Sequence, residues 1–275
     1  MQDTNSDDRV YAFGYSPAAV GLMESRSAEV NAAFLLPKLA DDMSVLDIGC
    51  GPGSITTGLA DKVRSGRAVG LDIEAGQIQI ARERARSAGL RNCEFDVGSV
   101  LDLPYPDSSF DVVFGHTILM QFADPDPVFN EVKRVLRPGG IIAFRELDFA
   151  ASLFGPAGSA IEAVWSTLRR SILDNDGFPD IGRHLPRLVS EAGFQVEWAR
   201  PEYVNASTPE ARKAMYGAMA ALWQQAGFVG DAVEAGWLTQ DERAQVLSRL
   251  DVEAGDMRVL SSTTYVEVLA RYSAD

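Results

Sequence analysis

The chain has 275 residues, 46% of them hydrophobic and 23% charged, with a formal net charge of -14. That is enough apolar material for one large domain or a domain carrying a long insertion, while the acidity argues against a polyanionic partner, since nucleic-acid binders neutralise phosphates with Lys and Arg. No apolar run reaches the about eighteen residues that a membrane span needs, and the polar opening MQDTNSDDRV has no basic-then-apolar leader. Cys50 and Cys93 are the two cysteines, and neither CxxC nor HExxH occurs, so a reducing cytoplasm and no protein-built metal site are expected.

In chain order, residues 27–40 predict a leading helix with Val30, Ala33 and Phe34 on one face and Pro37 disturbing its end. A strand over Ser44–Ile48 runs into Gly49, Gly51 and Gly53. Ile55, Leu59 and Val63 recur at helical spacing. Ala68–Ile73 predicts a second strand, and 75–88 a helix with Ile78, Ala81 and Ala85 inward and Gly89 as its stop. Cys93–Val97 is a short third strand. Asp111–Gly115 is a fourth, apolar on both faces as a buried parallel strand should be. Pro127–Leu136 predicts a helix, and Ile141–Leu147 a fifth strand. Strands and helices alternating at this spacing imply a parallel sheet with right-handed crossovers and a ligand at the carboxyl ends of the strands.

The second half is less regular. Residues 158–173, 183–192, 209–226 and 239–250 predict helices, with strands at Phe194–Ala199 and Thr263–Tyr272. The expected class is α/β, a Rossmann-like doubly wound, mostly parallel seven-stranded sheet with helical cap insertions. The expected organisation is a cap segment over 1–26, a core over 27–150, a helical insertion over 151–182, core again over 183–204, a helical cap insertion over 205–256, and a closing strand within 257–275.

The pattern Gly49-Cys50-Gly51-Pro52-Gly53 ends in Ser54, where a dinucleotide fingerprint has its third glycine. Asp72, at the end of the second strand, suits the hydroxyls of an unphosphorylated ribose. Both NAD and S-adenosylmethionine have such a ribose.

VLDIGCGPG, GLDIEAGQIQIA, LPYPDSSFDVV and EVKRVLRPGG, in that order, resemble the class I S-adenosylmethionine-dependent methyltransferases, over residues 27–148. The similar subgroup is the small-molecule type that includes the ubiquinone and menaquinone biosynthesis methyltransferases. The resemblance implies S-adenosylmethionine as cofactor and S-adenosylhomocysteine as product, and a last strand inserted near the sheet edge. Residue by residue, it implies that Gly49 and Gly51 approach the methionyl portion, Asp72 holds the ribose, Ile73 packs on adenine and Gln77 lies near the ribose. Ser99 takes the place of an acidic adenine contact, Val100 offers a backbone N–H, and Gly115 and His116 lie beside the methyl group.

His116, at a strand end, is the candidate general base; the other reading is that it orients the cofactor. Glu146 and Asp148 alternate on the fifth strand and so share a side; Glu146 is a candidate proton acceptor and Asp148 a substrate contact, with capping of the next segment as the other reading. Arg26 could pair with the methionyl carboxylate. Tyr11 and Tyr15 could line the acceptor pocket, or simply anchor the terminus.

The expected reaction is methyl transfer to an O, N or C atom of a small, aromatic or lipophilic molecule, by a monomer or homodimer. Alternatives are a quinone-precursor C-methyltransferase and a methyltransferase-fold enzyme catalysing another step. An NAD-dependent oxidoreductase, a nucleic-acid or protein methyltransferase and a non-catalytic nucleotide-binding module are weaker. The fourth strand ends in FGHT, not in a proline-aromatic loop.

Overall fold

The computed structural model describes residue 11 and residues 13–273. Seven strands form one sheet: β1 (Ser44–Ile48), β2 (Arg67–Asp72), β3 (Cys93–Val97), β4 (Phe110–His116), β5 (Leu136–Gly155), β6 (Phe194–Asn205) and β7 (Leu260–Tyr272). Their order is β3-β2-β1-β4-β5-β7-β6. The pairs β1–β2, β1–β4, β2–β3 and β4–β5 are parallel. The last strand is inserted between β5 and β6, one place from the edge, as the resemblance implies.

Strand order reverses direction between β1 and β4, whose register places Ile48 opposite Gly115. The chain therefore leaves both strands side by side, at Gly49 and after His116, which opens the crevice where open α/β sheets bind ligands.

The chain divides into two compact units. One comprises residues 20–152, 178–204 and the chain from Thr263 on. In it, α3 (Ser54–Lys62) and α4 (Ala75–Ser87) follow β1 and β2. One face of the sheet contributes Val45, Val112, Phe114, Ile141 and Ala143 to a core shared with Ile55, Leu59 and Val63. Ile78, Ala81 and Ala85 of α4 pack with Cys50 and Phe95 in a second cluster. Helix α4 closes in a Schellman motif: Leu90 N–H bonds Ala85 O at 3.1 Å and Gly89 N–H bonds Arg86 O at 3.0 Å, with Gly89 at φ +69°.

The other unit comprises the described residues up to Ala19, Leu153–Gly177 and Asn205–Ser262. Its helices are α6 (Ala160–Asp174), α8 (Pro209–Gln225), α9 (Gly227–Glu234) and α10 (Gln240–Ala254). Ile161, Val164, Trp165, Leu168 and Ile172 of α6 are all buried. The Glu253 carboxylate accepts the Ala160 N–H at 2.8 and 2.9 Å, and Arg212 donates to the Val259 and Glu253 carbonyls. None of the described helices is long and apolar enough to cross a membrane.

Four elements depart from the sequence reading. The leading helix is short: α2 spans only Ala28–Asn31, and a 3-10 turn follows over Leu36–Lys38. Ala28, Ala32, Phe34 and Leu35 point inward, whereas Val30 is 68% exposed and Ala33 is exposed. The cause is local, because the chain leaves helical geometry at Ala32 and Pro37 then cannot donate an N–H to restart it. Strand β5 continues well beyond Leu147, to Gly155, and β6 beyond Ala199, to Asn205. Helix α9 carries Gly227 and Gly230, which lower helix propensity and hid it. Residues 1–10 and 12, within the expected cap segment, lie outside the described residues.

Candidate active site

All three turn glycines have positive φ: Gly49 +68°, Gly51 +52° and Gly53 +72°. A Cβ on Gly53 would lie 2.8 Å from both Ala81 and Phe95, so this glycine serves helix–strand packing. On Gly49 it would lie 2.7 Å from Ile118 Cδ1, a close approach across the β1/β4 crevice. On Gly51 its nearest neighbour is Met23 Sδ at 3.3 Å.

Asp72 clamps this turn. Its Oδ2 accepts the Gly51 N–H at 2.8 Å and its Oδ1 the Glu74 N–H at 3.0 Å. Each oxygen keeps a second acceptor site for a ligand hydroxyl. Burial raises the Asp72 carboxyl above its ordinary value, while the two backbone N–H groups oppose that rise.

Asp47 is 2% exposed, and its Oδ2 accepts from Thr56 Oγ1 at 2.6 Å, which ties β1 to α3. Burial pushes its carboxyl up to about 7 from 3.8, against the Thr56 bond, with Asp72 adding to the rise and Arg26 resisting it. A carboxyl raised in the folded state binds more protons there than when unfolded, so its contribution is full below about pH 4 and is lost as pH rises towards 7. Asp47→Asn keeps an acceptor for Thr56 and removes this slope. Urea unfolding should show the variant gaining on the wild type by up to about 4 kcal/mol between pH 4 and pH 8. A constant difference across that range would contradict the assignment.

At the tip of β4, His116 is 5% exposed. Its Nε2 lies 2.9 Å from Arg145 Nη1 and 3.2 Å from Asn31 Nδ2, and its Nδ1 lies 3.2 Å from Thr117 Oγ1. Burial, then Arg26 and Arg145, hold its pKa well below 6.5. The lone pair of Nε2 thus faces two donors from this chain.

Glu146 and Asp148 are both fully buried, and both are occupied by this chain. Glu146 Oε1 accepts from the Ile118 and Leu119 N–H groups at 2.9 Å each, and Oε2 from Met120 at 3.4 Å. It caps the loop that carries Ile118 over Gly49, the capping arrangement weighed for this residue from the sequence. Burial raises its carboxyl to about 7. Asp148 accepts from Arg183 Nε at 2.8 Å, Nη2 at 2.7 Å and backbone N at 2.9 Å, and from Ala151 N at 2.9 Å. Its four acceptor positions are all taken by donors of this chain. Arg183→Met should leave Asp148 buried without its counter-charge and cost about 2 kcal/mol of unfolding free energy. Its S-adenosylhomocysteine affinity should stay within about twofold of wild type, the error of calorimetry at this scale.

Arg26 is half-buried, forms no ion pair among the described residues and donates Nη1 to Thr117 Oγ1 at 3.4 Å. Ile73 is 45% and Val97 49% exposed, an apolar shelf at the ends of β2 and β3 beside Asp72. Gln77 is 3% exposed and its Oε1 has no hydrogen-bond partner. Ser99 Oγ accepts from the Leu101 N–H at 3.1 Å, and Val100 is buried. Tyr11 and Tyr15 belong to the other unit, where their rings lie 5.5 Å apart and Tyr11 also stacks on Phe13. His184 packs on Phe178. An acidic clamp on the glycine turn, an apolar shelf, an orphaned buried acceptor and an unpaired cation fit the S-adenosyl nucleoside implied by the sequence.

Sequence reasoning missed Arg145, Thr117, Asn31 and Ile118. Arg145 had a signal, since a charge inside the apolar run IIAFREL must find a buried partner. Thr117 had none, because its left-handed backbone is set by the fold.

The strand order defines a Rossmann-like α/β fold, with an acidic residue clamped at the tip of β2. A family model described as a methyltransferase domain matches residues 39–177. The probable methyltransferase ltbC of Aspergillus luteorubrus is 35% identical over 210 residues, covering 72% of this chain and 73% of that protein. The demethylmenaquinone methyltransferase of Listeria monocytogenes is 34% identical over 176 residues, 58% of this chain and 73% of that one. Among solved structures, the [4+2]-cyclase SpnF superposes with a TM-score of 0.55 at 22% identity, over 94% of this chain and 82% of that one, which is a likeness of fold. The chain belongs to the methyltransferase family.

Proposed function

We propose that this methyltransferase takes S-adenosylmethionine as donor and methylates an O, N or C atom of a small aromatic or lipophilic molecule. The observation that carries the reading is the Asp72 carboxylate, held by Gly51 and Glu74 beside the exposed Ile73. A nucleoside with a free ribose diol and a flat apolar base matches that pair.

When bound, S-adenosylmethionine supplies a methyl group already activated by its sulfonium. Asp72 accepts the ribose hydroxyls. Gly49 and Gly51 leave the backbone bare along the amino-acid tail, and Arg26 meets its carboxylate. Ile73 packs on the base, with Ser99 and Val100 at the polar edge and Gln77 near the ribose. Gly115 keeps the tip of β4 close, since a Cβ there would sit 2.7 Å from Phe144. His116 holds its proton on Nδ1 and takes none from the acceptor. An acceptor with a free lone pair, or one ionised before it binds, needs no protein base. Alignment and exclusion of water are then what the protein adds.

Tyr11 and Tyr15 stay proposed acceptor contacts. The reading places the enzyme in the cytoplasm with no nucleic-acid partner; size-exclusion chromatography decides between monomer and homodimer. The test is incubation of purified protein with S-adenosylmethionine and a panel of phenols, amines and reduced quinones, read as S-adenosylhomocysteine equimolar with a methylated product. Turnover of an acceptor with no S-adenosylhomocysteine formed would replace this reading with a non-methyl reaction on the same scaffold.

A further inference from the structure

Behind His116 the buried polar groups form one chain. Glu267 of β7, 2% exposed, accepts from Arg200 Nε at 2.9 Å and lies 3.3 Å from Arg145 Nε. Arg145, also 2% exposed, lies 3.6 Å over the centroid of the Tyr265 ring and reaches His116 Nε2 at 2.9 Å. A guanidinium has donors and no acceptor, and it stays protonated. His116 Nε2 is therefore the bare nitrogen, and the ring proton sits on Nδ1, where it donates to Thr117 Oγ1.

Thr117 Oγ1 also receives Arg26 Nη1. With both lone pairs engaged, the hydroxyl has only its own proton left to give, and none of the described residues accepts it. Thr117 is 5% exposed and has φ +56°, a left-handed conformation that a β-branched residue rarely adopts. Such strain persists where the surroundings over-determine it, and it gathers at ligand clamps. A full positive charge and an uncommitted O–H side by side suit an anion. The one anionic group on an S-adenosyl cofactor is the carboxylate of its amino-acid tail.

We propose that Arg145 is a positioning residue: as the nearer of the two donors on His116 Nε2, with Asn31 Nδ2 the other, it fixes the His116 tautomer and so turns the Thr117 hydroxyl so that this group and Arg26 together receive the cofactor carboxylate. The inference rests on the S-adenosyl reading of the site, and it assigns to Arg145, Glu267 and Tyr265 a task in cofactor binding although none of them touches the cofactor.

Calorimetry with two probes tests it: S-adenosylhomocysteine, and its analogue that keeps the amine but lacks the carboxylate. Arg145→Met should weaken S-adenosylhomocysteine by about tenfold and the analogue by less than about twofold. Arg145→Lys, which still donates, should recover most of the loss. Thr117→Ala should reproduce the selective loss and Thr117→Ser should not. Equal losses for both probes, or no loss for either, would overturn the proposal while leaving the S-adenosyl reading intact. A wild type that binds neither probe would remove that reading, and the proposal with it. Should Arg145→Met fail to fold, nitrogen NMR of the wild-type imidazole decides: Nδ1 protonated and Nε2 bare is expected, and the opposite tautomer refutes the mechanism.

Discussion

Asp72→Ala should weaken S-adenosylhomocysteine binding by about 3 kcal/mol, roughly 150-fold, in calorimetry. Two losses combine. The ribose hydroxyls lose a charged acceptor, and the Gly51 N–H loses the carboxylate that sets the turn. Asp72→Asn separates them. The amide keeps one accepting oxygen, with two lone pairs, while the nitrogen that replaces the other oxygen can only donate. About half of the loss in free energy should therefore remain in the Asn variant. Both variants should fold, since Asp72 is only partly buried. An unchanged affinity in Asp72→Ala would remove this residue from the site.

Glu146→Ala should be the more damaging change to the protein itself. It strips the acceptor from the Ile118, Leu119 and Met120 N–H groups and leaves a void at a fully buried position. Orphaned buried donors cost about 1–3 kcal/mol each, with water able to repair part, so a net loss of about 3 kcal/mol is expected in urea unfolding. Methyl transfer should fall as well, because Ile118 fills the space over Gly49 and Gly115 and would lose its anchor. Glu146→Gln supplies an oxygen for the paired Ile118 and Leu119 donors and should recover most of both losses. If the Gln variant were as inactive as the Ala variant but fully stable, the carboxylate would have a chemical role beyond capping.

The parallel half of the fold was legible because its signals are local. Val45, Leu46 and Ile48 lead directly into three glycines, and Ile78, Ala81 and Ala85 mark one face of a helix closed by Gly89. The leading segment failed for a local reason too. Val30 and Ala33 share a helical face on paper, but the helix stops after one turn and a different set turns inward. At the site, the positions of Gly49, Gly51 and Asp72 could be read from spacing. The partners of His116, Glu146 and Asp148 could not, because each comes from a distant segment: Arg145 from the neighbouring strand, Ile118–Met120 from the loop after β4, and Arg183 from the turn before α7 (Leu185–Glu191). A buried ionisable side chain announces that it needs company without naming it. That is why two carboxylates and an imidazole that looked reactive in sequence proved to be held by their own chain.

The insertion of β7 between β5 and β6 makes the sheet's assembly order unlike its synthesis order. β5 and β6 are made first, yet β6 has no sheet neighbour, and β5 only β4, until the strand encoded after both enters the gap. Tyr265 and Glu267 ride on that late arrival. Until it docks, Arg145 lacks both its Glu267 counter-ion and the Tyr265 ring it lies over. A sheet with β1 to β4 already paired would thus own a glycine turn and an acidic clamp while Arg145 still lacked the β7 residues that hold it.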